Sequence, residues 1–190
     1  QLRAAYPNLK FLELVHRLDK ETSGLLVLAK KRSALVHLHE QIRNGRMDKR
    51  YYAILQGQLS EKVTHVKAPL HKYVASNGER RVVVAHEGEG QSAHTQFNVD
   101  QQVGDFTAVR VKIFTGRTHQ IRVHSASIGH PIVGDDKYGD FELNKRVAKT
   151  TGGRMFLHAH SLRFTHPQTG ETLTLTAPIP QTFTDFLHQA

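Results

Sequence analysis

VHRLDKETSGLLVLAK, residues Val15 to Lys30, divides in two. Its second half, from Ser23 through Ala29, is small and apolar and reads as a buried strand, SGLLVLAK. Its first half packs His16, Arg17, Asp19, Lys20 and Glu21 into six positions directly after the apolar FLELV. A single aspartate among cations at a strand end has two readings. It can cap a turn or pair with a neighbouring cation, a purely structural task. Alternatively it is a nucleophile or general base that flanking Arg17 and Lys20 hold ionised, because nearby positive charge favours the carboxylate. An aspartate so paired is a poor proton donor at neutral pH.

Working outward, Ser33 reads as the N-cap of a helix running to about Asn44, with Leu35, Leu38 and Ile42 on one face and Gly45 as its stop. KRYYAILQGQL, from Lys49, resumes strand character. KAPLHKYVASNGERRVVVAHEGEG carries a turn at Asn77-Gly78 and a β-branched run, Val82 to Val84, and reads as a hairpin or arm. HTQFNVDQQV and FTAVRVKIF alternate at period two around Gly104-Asp105, with Thr107, Val109, Val111 and Ile113 on one face. RTHQIRVHSASIG suggests a helix ending at Gly129. RMFLHAHSLRFTHP and ETLTLTAP read as paired strands, and PQTFTDFLHQA as a short helix. Many hairpin-like strands with few helices predict an α+β (mixed α/β) fold on a largely antiparallel sheet with flanking helices and loops.

The 190 residues suit one domain, 1–190. Cysteine is absent, which excludes disulfides, thiolate chemistry and cysteine zinc sites, and fits a cytoplasmic chain. No apolar run approaches the roughly 20 residues of a membrane span, and no leader is evident. The formal net charge is +9, with 14 histidines besides, which favours a polyanionic partner such as nucleic acid. No run of like charges is long, so a basic footprint has to be assembled by folding. The pairs His37/His39 and His158/His160 have ligand-like spacing for a strand, but no further metal motif accompanies them, and no metal is expected.

Two further stretches carry candidate site residues. In TGRTHQIRVH, Arg117 sits at the entry to the expected helix, and His119 and Arg122, three apart, share a helical face. Such a helix entry could hold a phosphate; the bland alternative is a basic side facing water. In KRYYAIL, Tyr51 and Tyr52 point to opposite faces of a strand. Both could be packed, or one could offer its ring to a nucleobase.

In order along the chain, HRLDKETSGLLVLAK, KRYYAIL, TGRTHQIRVHSASIGHPIVGDDKYG and MFLHAHSLRFTHPQTGE resemble the RluA-type pseudouridine synthases, and within them the RluC-like enzymes of large-subunit (23S) ribosomal RNA. The resemblance covers about Leu9 to Pro180. It implies the pseudouridine synthase catalytic fold and an isomerase that converts chosen uridines in RNA to pseudouridine, with no cofactor. By this resemblance Asp19 matches the catalytic aspartate, acting as nucleophile or removing a ribose proton. Arg122 matches the arginine that ion-pairs with it. Tyr51 matches the tyrosine that stacks on the target base and assists proton removal at C5. Arg17 matches a position that fills the gap left by the flipped base, and Arg117 and His119 fall to RNA binding. The partner implied is large-subunit ribosomal RNA, bound by a monomer. An upstream motif near NKPxGxxVH and an S4-type RNA-binding domain, common in relatives, do not precede His16, so a catalytic-core fragment is expected. Two other readings stand beside this one: a non-catalytic RNA-binding or ribosome-assembly module, and the same chemistry on transfer RNA.

Overall fold

The structure, a computed structural model, describes residues 2–60, 62–86 and 88–190. In chain order its elements are α1 (Leu2–Ala5), β1 (Glu13–Leu14), β2 (Ser23–Gly24), β3 (Leu28–Ala29), α2 (Arg32–Arg43), β4 (Asp48–Gln56), β5 (Val63–Lys67), β6 (Leu70–Val74), β7 (Arg80–Val84), β8 (His94–Val103), β9 (Phe106–Ile113), α3 (Gln120–Ser127), α4 (Phe141–Thr151), β10 (Leu157–Thr165), β11 (Thr172–Thr176) and α5 (Gln181–Gln189).

The main sheet runs β11-β10-β4-β9-β8-β5, antiparallel at every step, with β2 joined to β10 in parallel. β4 lies near the middle, and its YAIL segment, Tyr52 to Leu55, is buried without interruption because both faces of the sheet are covered there. α5 covers one face: Phe183 packs on Tyr52, with ring centroids 6.1 Å apart, and on Phe156 at 5.0 Å. On the opposite face lie Tyr51 and its cross-strand partners Val111 and Ala159. α3 packs near that face, where His124 bonds Thr95 at 2.8 Å. The α+β class expected from the alternating stretches is therefore the fold observed.

Several local expectations are corrected. SGLLVLAK is not one strand. Only Ser23–Gly24 and Leu28–Ala29 are extended pairs, bonded to different partners, β10 and β1, and of the stretch only Ala29 is buried. The apolar run between them packs as a loop against Leu38, Met47 and Phe164. α2 begins two residues before the expected cap: Lys31 is its N-cap and makes no side-chain bond. His37 and His39 lie on this helix rather than on a strand, so their spacing turns them apart: His37 Nδ1 meets Gln41, and His39 Nε2 meets the Val15 carbonyl. β6 and β7 form the expected hairpin around Asn77-Gly78, although Glu87 of that stretch lies outside the described residues. α4 was not foreseen, despite Asp140, which caps it by accepting from Leu143 N–H at 2.9 Å, and Gly152 as its left-handed stop.

Two histidines are wired into this frame as neutral rings. His124 is fully buried between Thr95 and the Ala68 carbonyl, and His158 lies between Ser23 Oγ and the Ala177 carbonyl. Burial, before any other cause, pushes both pKa values below the usual 6.5. Their folded values lie below the unfolded one, so the unfolded chain takes up protons first as pH falls. Their contribution is full above about 6.5 and is lost below it. Urea denaturation at pH 7.5 and at pH 5.0 is expected to give a lower midpoint at pH 5.0.

Candidate active site

Asp19 sits on the loop joining β1 to β2. Its carbonyl accepts from Thr22 N–H at 3.0 Å, and this turn swings Lys20 into solvent, where it faces Glu21 at 3.6 Å. The cation expected beside Asp19 from its place in sequence is thus turned away. The loop is closed on itself instead: Val15 N–H donates to the Val27 carbonyl at 3.0 Å, and Val27 N–H donates to His16 Nε2 at 3.2 Å. Burial, reinforced by Lys49, lowers the His16 pKa and keeps that ring an acceptor.

Gly24 fixes the loop to the sheet. Its φ is +108°, and a Cβ there would collide with the Ala159 backbone, at 2.7 Å from its nitrogen. Only glycine lets β2 approach β10 so closely. Ser23 completes the join, accepting from Arg154 Nη2 at 2.6 Å and donating to His158 Nδ1 at 2.8 Å.

The second wall is the segment after β9. Gln120, buried at the start of α3, accepts from Thr115 Oγ1 at 2.7 Å and from Arg117 N–H at 3.0 Å, and donates to the His94 carbonyl and Thr95 Oγ1. One amide thereby sets the whole TGRTH loop. His119 precedes the helix rather than sharing its face with Arg122. It is the one described non-glycine residue with positive φ, at 52°. This left-handed turn aims its ring at Asp19, leaving Nε2 3.9 Å from Oδ1.

Arg122 comes from the first turn of α3. Its Nη1 lies 3.6 Å from Asp19 Oδ2. Its short bonds go elsewhere: Nε and Nη2 grip the two oxygens of Asp135, each at 2.7 Å, and Nη2 lies 3.3 Å from Asp136 Oδ1. The Asp135 side chain is wholly buried and also accepts from Lys137 N–H and Tyr138 N–H. Burial opposes the charge on Arg122, but Asp135, Asp19 and Asp136 outweigh it and raise its pKa above the ordinary arginine value. Asp135 is the main residue that reading the sequence passed over. Its signal was the acidic pair in GDDKYG.

Tyr51 and Asp19 line the same cavity, of about 630 Å³, whose walls also include Arg17, Arg117, His119 and Arg122. All six residues singled out in the sequence thus meet at one place. Burial first, and the Asp19 charge second, push the Tyr51 phenol up to about 12, so the ring is neutral. Tyr52 faces the other way and donates to Asp100 Oδ2 at 3.0 Å. Arg43 and Lys49 line the cavity as well, and Asp19 is its one carboxylate among the described residues. Burial lowers the Lys49 pKa. Thr22 Oγ1, on the same wall, is buried with no partner among the described residues. The site as built is a nucleoside-sized basic cleft with one anchored acid, one neutral aromatic ring and a free hydroxyl.

Comparison with known proteins places the chain in a family. Residues 1–127 match the family described as RNA pseudouridylate synthase, and the chain belongs to that family. It is 50% identical over 182 residues to ribosomal large subunit pseudouridine synthase C of Escherichia coli (strain K12), covering 95% of this chain and 56% of that protein. To the protein of that name in Pasteurella multocida (strain Pm70) it is 49% identical over 178 residues, covering 94% and 54%. The chain therefore spans a little over half the length of these curated relatives. Among solved structures, human RNA pseudouridylate synthase domain containing 1 superposes with a TM-score of 0.78 at 28% identity, covering 93% of this chain and 71% of that one. Human RNA pseudouridylate synthase domain containing 4 gives 0.76 at 27%, covering 98% and 79%. The pseudouridine synthase fold implied by the sequence motifs is the fold these neighbours share.

Two variants test the frame of the site. Gly24→Ala is expected to destabilise the protein by about 1–3 kcal/mol, read by urea denaturation, since strain in the left-handed region adds to the collision with Ala159. Asp135→Ala leaves Arg122 buried beside an empty space and is expected to cost about 3–5 kcal/mol in the same assay; an unchanged midpoint would show that water replaces the carboxylate freely.

Proposed function

We propose that residues 1–190 act as one catalytic domain that isomerises uridine to pseudouridine in large-subunit ribosomal RNA. The observation that carries this reading is the Asp19 carboxylate, alone among cations in a cleft large enough for a nucleoside, beside the neutral ring of Tyr51. The names of the relatives supply the substrate class, and the +9 charge suits a polyanion.

In the proposed reaction the target uridine leaves its stack and enters the cleft. Arg17, exposed at the rim, takes up the space the base vacates. Asp19 attacks C1′, or removes a proton from the ribose, as the N1–C1′ bond breaks. The uracil turns in place against Tyr51, and C5 bonds to C1′ as the Asp19–C1′ bond breaks or, on the other route, as Asp19 returns the ribose proton; the C5 proton is then lost while N1 gains one. A phenol held near 12 favours stacking over proton removal at C5. Arg122 aims Asp19, while Arg117 and His119 engage the RNA around the flipped nucleotide. The steps need no metal or redox cofactor. The protein works as a monomer in the cytoplasm, where ribosomal RNA is made.

Pseudouridine mapping by carbodiimide labelling and reverse-transcription stops on unmodified large-subunit ribosomal RNA tests this reading. The parent chain is expected to create new stops. Asp19→Asn is expected to abolish them, a loss of at least about 10³-fold, while RNA retention on a filter changes less than about twofold. Stops of equal strength from Asp19→Asn would remove Asp19 from the chemistry. RNA retention with no stops from either protein would favour a binding module.

A further inference from the structure

Outside the cleft, the β6–β7 hairpin is tied to the segment that holds Arg122. Val82 is buried against Leu70, Ala93, Val123 of α3 and Tyr138. Its N–H donates to Tyr138 Oη at 3.0 Å. Glu79 of the hairpin turn reaches Lys137 Nζ at 2.6 Å and Arg81 Nε at 2.9 Å. The hairpin is therefore docked at three points on the Asp135–Tyr138 turn and α3.

Tyr138 passes this contact inward. With Val82 N–H already on its oxygen, the phenol hydrogen has one further partner among the described residues, His119 Nδ1 at 2.8 Å. With Tyr138 as the donor to Nδ1, the neutral imidazole carries its hydrogen on Nε2, the atom 3.9 Å from Asp19 Oδ1. Burial keeps both partners in the required form, lowering the His119 pKa and raising that of Tyr138. The Tyr138 ring also lies under the Arg122 guanidinium, 5.2 Å from Cζ. Both groups facing Asp19 hence touch one tyrosine, and that tyrosine touches the hairpin. The face of the hairpin turned away from Val82 exposes His71 and Tyr73 beside Arg81, an aromatic and basic surface suited to an RNA strand.

We propose that Tyr138 and His119 are positioning residues for Asp19 that take their alignment from the β6–β7 hairpin, so that RNA seated on the hairpin sets the reacting carboxylate. This rests on the reading of Asp19 as the reacting group. A donor on Nε2 stands over Oδ1 only while Tyr138 holds Nδ1, and Tyr138 is held only while Val82 is docked. Hairpin docking and carboxylate alignment are then one event.

Tyr138→Phe deletes both hydrogen bonds and keeps the ring over Arg122. Nitrogen-15 NMR of the imidazoles is expected to show His119 with its hydrogen on Nε2 in the parent, and a mixed tautomer in Tyr138→Phe. kcat for pseudouridine formation is expected to fall about tenfold or more while the Kd for RNA stays within about twofold, because a misaligned group costs rate and not binding. Glu79→Gln, which touches nothing in the cleft, is expected to lower kcat severalfold by loosening the hairpin. A parent His119 carrying its hydrogen on Nδ1 overturns the proposal, as does parent-like kcat in Tyr138→Phe, and parent-like kcat in Glu79→Gln overturns the part played by the hairpin. Should the parent form no pseudouridine, the functional reading fails by itself. The tautomer in Tyr138→Phe then decides the contact alone, and an unchanged Nε2–H signal there overturns it.

Discussion

Arg122 is a guanidinium almost wholly removed from water, and such a charge is tolerable only where partners are already fixed to receive it. Asp135 is that partner, and most of the structure around the cleft serves to fix Asp135. Two backbone N–H groups donate to one of its oxygens. Asn144 of α4 donates to the Asp135 carbonyl at 2.7 Å and accepts from Gly134 N–H at 2.7 Å. Gly134 and Gly139 have no room for a Cβ against the Arg154 and Asp135 backbones. α4 lines no part of the cleft, yet it braces the turn that braces the arginine. Misplacing any of these supports would leave a buried cation without its acid, a cost of several kcal/mol.

The other side of the cleft is held by backbone rather than charge. Asp19 rides on a loop whose ends are fixed to β10 at Gly24 and to the core at Val15, while Tyr51 projects from the central strand β4. Groups carried on such rigid supports keep their geometry. The attraction itself is long-range. Arg17, Arg43, Lys49, Arg117 and Arg122 line the cleft against one acid, so the field concentrates where the carboxylate sits.

Legibility in the sequence followed the range of the interaction concerned. Period-two alternation revealed β8 and β9, glycine turns revealed their hairpins, and the adjacent tyrosines divided between the two faces as strand geometry requires. The six candidate residues, which line one cleft, could be picked out because the motifs bearing them are short and local. What failed was long-range. SGLLVLAK has the composition of a buried strand, but it is split between a parallel contact to β10 and an antiparallel one to β1, far apart in the chain. Lys20 stood beside Asp19 in sequence, and a single turn removed it. α4 was missed although Asp140 and Gly152 mark its ends and it is amphipathic; only Leu143 of its eleven residues is buried. Asp135 lay in plain view, but nothing local says that an aspartate thirteen residues on will take the arginine first.

That preference bears on the proposed reaction, in which Asp19 is the reacting group. A guanidinium offers its strongest grip through two parallel N–H donors, and a carboxylate held so has both oxygens occupied. Were Arg122 to grip Asp19 in this way, the acid would be well aimed and unreactive. Asp135 takes that grip, at 2.7 Å on both oxygens, and leaves Asp19 a single contact at 3.6 Å through Nη1. One oxygen of Asp19 is then oriented by Arg122, while the other, Oδ1, meets only His119 among the described residues, at 3.9 Å, and stays open to the cleft. Asp135 also carries a negative charge that offsets much of the guanidinium charge felt by Asp19, so the carboxylate is directed without being quenched. An arginine with one acid beside it would have to choose between aiming and freeing that acid; with a second, buried acid to hold it, Arg122 does both.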